Sequence, residues 1–226
     1  MPGRETPLIT GEIYHIVNRG IASQSIFLNQ RDYQRALETI LYYQNKKSLL
    51  RYSYFIRLQQ SIRLEILKKL NDQKDHLLVE IFAYCLMPNH FHLLLKQLID
   101  NGISNYLSKF SNSYTRYFNV KNNRIGPLLQ GKFKSVHVDN DEQLLHLSRY
   151  IHLNPYSSDI VKSLKGLKEY PYSSLPEYLE LDQKNYCRRD LILSYFKTAD
   201  SYEDFIFSQA DSQRELDIIK HHTLEV

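Results

Sequence analysis

The chain is short of cysteine, of long hydrophobic runs and, across its middle, of acid. Its two cysteines, Cys85 and Cys187, lie far apart with no metal-ligand spacing, a pattern that goes with a reduced compartment. No segment approaches the roughly 20 apolar residues of a membrane span. The opening residues, MPGRETPLITGE, lack the apolar core of a signal peptide. The expectation is a cytoplasmic, nucleoid-associated protein with no membrane partner. At 226 residues the chain suits one domain with additions and can bury a real core. Its net charge of +4 says little, but the distribution says more. Between Asn101 and Val138 there is no Asp or Glu, only Lys109, Arg116, Lys121, Arg124, Lys132 and Lys134. From Asp200 onward seven acids face Arg214 and Lys220. A basic middle points to a polyanion partner, with a merely solvated helix face as the alternative.

The stretch MPNHFHLLL, from Met87, organises the rest. It follows the apolar run VEIFAYCL, so the two read as a hairpin of strands turning at Pro88-Asn89. Alternation along the second strand puts His90 and His92 on one face and Phe91, Leu93 and Leu95 on the other. Two imidazoles on a rigid strand make most of a metal site. One core histidine beside one surface histidine is the other reading, and a third ligand decides between them.

Taken in order, Glu12 to Asn18 reads as a strand with Ile13, His15 and Val17 on one face. Arg31 to Gln44 carries a helical stripe with Asn29 as its N-cap. Residues 46–78 read as a basic helical insertion beside the core, its helix at Leu58 to Leu70. Ile103 to Phe118 reads as a helix on which tyrosines interleave with Lys109 and Arg116, a composition used on single-stranded nucleic acid. A further strand ends near Val138. A helix capped by Asp139 or Asn140 then runs from Asp141 to His152 and stops before Pro155. This order predicts an α+β fold of the ferredoxin-like split βαβ type, an antiparallel sheet with helices on one face. Residues 1–178 form the main domain and 179–226 a helical C-terminal extension.

Tyr150 and Asn154 are four apart and share one surface of the last core helix. The Asn154 amide oxygen is a hard ligand suited to Mg²⁺ or Mn²⁺, completing a set with His90 and His92. Tyr150, one turn away, is then placed as a nucleophile toward a polarised phosphate. A packing tyrosine followed by an asparagine cap remains the plainer account of this pair. Arg149 stands beside Tyr150 as a weaker phosphate contact.

Together MPNHFHLLL, GPLLQGKFKS and LSRYIHLNP followed by YPYSS resemble the single-tyrosine HUH transposases, IS200-like, and most of all the REP-associated tyrosine transposases. The resemblance runs from about Gly11 to Tyr178. It implies that His90, His92 and Asn154 bind a divalent metal, Mg²⁺ or Mn²⁺. It implies that Tyr150 cleaves and rejoins single-stranded DNA beside hairpins through a 5′-phosphotyrosine, as a monomer or homodimer. The basic segment, with Lys109, Arg116, Lys121, Arg124, Lys132 and Lys134, is the implied DNA surface. Tyr172, where tryptophan is usual, departs from the pattern without touching this chemistry. The rival from another class is a catalytically silent, domesticated hairpin-binding protein.

Overall fold

The computed structural model describes residues 7–48, 50–71 and 76–215. Strand β1 (Ile13–Arg19) leads into α1 (Gln30–Tyr42), whose first turn is capped by the Asn29 side chain accepting from the Asp32 amide. Two helices, α2 (Tyr52–Phe55) and α3 (Gln60–Asn71), fill the insertion. Strands β2 (Val79–Met87) and β3 (His90–Gln97) form the hairpin. Then follow α4 (Gly102–Lys121), β4 (Lys134–His137) and α5 (Asp141–Ser157). Short helices α6 (Leu164–Lys168), α7 (Leu175–Tyr178) and α8 (Asp190–Leu193) precede α9 (Ala199–Phe207). Part of the expected insertion, 72–75, and of the expected extension, 216–226, lies outside the described residues.

The sheet order is β2-β3-β1-β4, with every neighbouring pair antiparallel. This is the order expected of the split βαβ arrangement. Phe91, Leu93 and Leu95 alternate onto one face with Tyr14 and Ile16, and α1 and α4 cover them with Leu37, Ile40, Ile103 and Phe110. Leu94, Ala83, Cys85 and Met87 face the other way, onto Leu144, Ile151 and Leu153 of α5. Helices therefore lie on both faces: α1 and α4 supply the expected layer, and α5 adds a second one. The apolar residues on both sides of β2 and β3 require that second cover.

The segment YPYSS is more than a turn. Leu86 donates its amide to the Tyr172 carbonyl and Ser174 donates to Tyr84, so the segment lines the outer edge of β2. An edge strand with its polar groups satisfied in this way is closed to further pairing. Helix α5 also runs past its expected end, with Pro155 inside its last turn. Proline removes only its own amide donor there. Leu153, Asn154 and Tyr156 stay buried against the body.

Candidate active site

The site lies on the α5 side of the sheet. Strand register sets His15 of β1 next to the β3 histidines, since Val17 pairs with His92 and Arg19 with His90. The His90 and His92 rings lie 4.9 Å apart edge to face, and His15 stacks on His92 at 5.1 Å. Over them α5 lays Tyr150, its ring 5.5 Å from His92 and 6.0 Å from His15, both edge to face. Tyrosine and histidines of one chain thus meet.

Hydrogen bonds orient each imidazole. His90 Nδ1 lies 2.6 Å from Asn89 Oδ1, an atom that only accepts, so Nδ1 carries the proton and Nε2 keeps its lone pair. His92 Nδ1 lies 2.9 Å from His15 Nε2. His92 Nε2 is buried with no hydrogen-bond partner, and so is Asn154 Oδ1. When His92 donates from Nδ1 to His15, Nε2 becomes a bare lone pair, the usual state of a metal-ligating histidine with an outer partner. Buried polar atoms without partners are costly, so these two, one on β3 and one on α5, call for an explanation.

Electrostatics agree. Burial holds His15 down to about 4. Burial and the Arg19 guanidinium hold His90 down to about 4, against a rise from the Asn154 amide. Burial, the neighbouring imidazoles and Arg19 put His92 well below its ordinary value. All three are neutral at pH 7, the form that ligates. Among the described residues no three His, Cys, Asp or Glu side chains form a ligand cluster. The donors brought together are two imidazoles and one amide.

The weaker candidates scatter. Lys121 bonds Asp32 and Asn29 and ties α4 to α1. Arg124 folds its own loop through Asn119 and Pro127. Arg149 turns away from the site, its guanidinium 4.5 Å above the Phe205 ring. Lys132 and Lys134 are exposed before and on β4, and Arg116 is exposed on α4. Lys109 reaches the Lys46 carbonyl at the insertion. Two residues at the site carry no local mark of it: His15, which the sequence pattern places only on one face of the first strand, and Arg19, one residue past the expected end of that strand. The signal for both was β1 alternation, which is mute until the register against β3 is known.

Residues 48–154 match the family described as transposase IS200-like, just under half the chain. A solved structure, described as that of the REP-associated tyrosine transposase bound to a REP hairpin, superposes with a TM-score of 0.53. It shares 15% identity over 80% of this chain and 86% of its own, a likeness of fold. No curated protein matches. The chain resembles the IS200-like transposases, as the three motifs implied.

Proposed function

We propose that this chain, with its IS200-like transposase sequence, cleaves and rejoins single-stranded DNA beside hairpins through a 5′-phosphotyrosine, in a metal-dependent reaction. The observation that carries this reading is Tyr150 standing over His92 while His92 Nε2 and Asn154 Oδ1 lie buried and unsatisfied. Those two atoms and His90 Nε2 fit a divalent cation such as Mg²⁺ or Mn²⁺. When bound, such an ion supplies Lewis acidity toward a phosphate oxygen.

The chain's own groups supply the rest. Tyr150 Oη attacks phosphorus, the bond from phosphorus to O3′ breaks, and the 5′ phosphate stays on the tyrosine. The tyrosine loses its hydroxyl proton and O3′ gains one; attack by a 3′-OH reverses the step and rejoins the strand. Arg19, beside His90, is placed to hold the phosphate charge. Arg116 and Lys134, exposed on α4 and β4, are the foremost DNA contacts, with Lys109 and Lys132 beside them, whereas Lys121, Arg124 and Arg149 turn to partners within the protein. A structural neighbour bound to a REP hairpin supports a hairpin DNA partner. Because the tyrosine and histidines meet in one chain, the reading is of action in cis, by a monomer or by each half of a homodimer. Residues 1–178 form the catalytic unit, with 179–226 as an extension whose described part carries α8 and α9.

The test is incubation of the full-length protein with Mn²⁺ and hairpin DNA carrying flanking single strands, followed by denaturing gels. A protein-linked DNA product is expected that disappears in Tyr150→Phe and in EDTA, while native gels still show retarded DNA. An adduct persisting in Tyr150→Phe contradicts the nucleophile. Retarded but uncut DNA across a panel of hairpins favours the catalytically silent hairpin-binding protein.

A further inference from the structure

On the side of the molecule away from Tyr150, the insertion, α1 and α4 enclose an open cleft of about 1220 Å³. Eight lysines and arginines line it against one carboxylate, Glu38. Arg31, Arg35, Arg51, Arg57, Arg63 and Arg116 make no ion pair among the described residues. Arg35 is 8% exposed, stacked on the Tyr52 ring at 4.5 Å and on Tyr117 at 5.0 Å, yet its Nε has no partner. The Arg63 Nε is likewise buried and unsatisfied. Like charges gathered about a single carboxylate repel one another. A polyanion in the cleft relieves that repulsion.

The walls say which polyanion. Tyr54 is 56% exposed there, and Leu50, Ile56 and Val120 expose apolar surface between the arginines. Base pairing in a duplex hides the base faces, whereas a single strand offers bases to such a floor and phosphates to the arginines. A second groove of about 350 Å³, as apolar as it is polar, begins at Asn112, which lines both. It runs along Ser104, Ser108, Ser111 and Thr115 of α4 to Gln130 and Asn18. Side chains of these types bond phosphate oxygens. Asn18 precedes Arg19, the register partner of His90, so the groove reaches the same end of the sheet as the histidines, on its opposite face.

We infer that the cleft and groove form a track for single-stranded DNA, running from the insertion across α4 to the end of the sheet behind the site. The track rests on the DNA-binding reading above and not on the chemistry at Tyr150. In it the insertion holds a strand remote from the bond that is cut.

The experiment measures fluorescence anisotropy of the full-length protein in EDTA with three labelled probes: an unpaired DNA strand, a blunt hairpin, and a hairpin with a single-stranded extension. The cleft variant is Arg51→Glu with Arg57→Glu and Arg116→Glu, all exposed positions. It is expected to bind the unpaired strand and the extended hairpin at least about tenfold more weakly, with a shallower salt dependence, by roughly 0.7 per lost contact. The blunt hairpin should lose little. Tyr54→Ala should weaken the unpaired strand without changing the salt slope. A glutamine triple at the same three positions keeps the test informative if charge reversal disturbs folding. Reversal of Lys162, Lys165 and Lys197, exposed in the α5 layer, is the control for net charge. Unchanged strand affinity in both triples overturns the track, as does an equal loss in the control or a loss confined to the blunt hairpin. Cleft-dependent binding without any Tyr150 adduct would sink the catalytic reading alone. An adduct with no cleft dependence would sink this one alone.

Discussion

At the scale of single residues, His15 decides more than its place in the sequence advertises. Its ring both packs on His92 and shares a hydrogen bond with His92 Nδ1, and His92 Nε2 is left without a partner among the described residues. Losing such an outer partner costs a metal site roughly 10–100-fold in affinity. His15→Ala is expected to weaken Mn²⁺ binding by that order in isothermal titration calorimetry, with the fold intact by circular dichroism. His15→Gln, whose amide oxygen falls near the old Nε2, should restore part of it. Native Mn²⁺ affinity in His15→Ala would remove the positioning role. Asn89 acts in the same way on His90, so the hairpin turn and the site share a residue.

At the scale of elements, close approaches fix where helices enter. Helix α4 starts at Gly102, packed so near the end of the insertion that an added Cβ would lie 2.3 Å from the Leu78 carbonyl oxygen. The neighbour is backbone and cannot swing aside. Gly102→Ala should therefore destabilise the protein by about 1–3 kcal/mol, the cost of overpacking, although alanine is the better helix former. Equal or raised stability in urea denaturation would show that the helix start can shift. Helix α5 is held differently: Asn140 caps its first turn by accepting from Gln143, and the apolar face then carries it through Pro155. Continuing through that proline keeps Asn154 helical, buried and on the same surface as Tyr150.

At the scale of the whole molecule, the sheet separates two surfaces, a dry one with histidines and a charged one with arginines. Buried histidines make the dry side sensitive to acid. Burial keeps His152 neutral to about 3, where it bonds Tyr202 and Ser174, and His15 and His90 to about 4. In the unfolded chain each binds its proton near pH 6.5, so the unfolded state takes up more protons between there and the folded values. Stability is thus complete above pH 6.5 and is lost as pH falls. For fully buried His152 the loss by pH 5 is roughly 2 kcal/mol. Urea midpoints in EDTA should drop between pH 7 and pH 5, and a flat profile would mean these imidazoles are solvated. No helix among the described residues is long and apolar enough to cross a membrane.

Much of this was written in local chemistry. Alternation in HFHLLL assigned faces to His90, His92, Phe91 and Leu93, and Asn29 and the pair Asp139-Asn140 marked helix starts, because period and capping depend only on neighbours in sequence. The order of elements gave the α+β class, and three separated motifs carried the family resemblance. What lay beyond reach was everything set by pairing at a distance. The register of β1 against β3 brings His15 and Arg19 to the site, and no local pattern encodes a register. Side-chain partners decided which cations face outward, turning Arg149 onto Phe205 and Lys121 onto Asp32 while leaving Arg51, Arg57 and Arg63 of the insertion with no ion pair among the described residues. The sequence by itself determined which residues bear chemistry and which element carries each. The tertiary structure decided which of them meet, because contact between distant segments is fixed by packing both faces of one sheet.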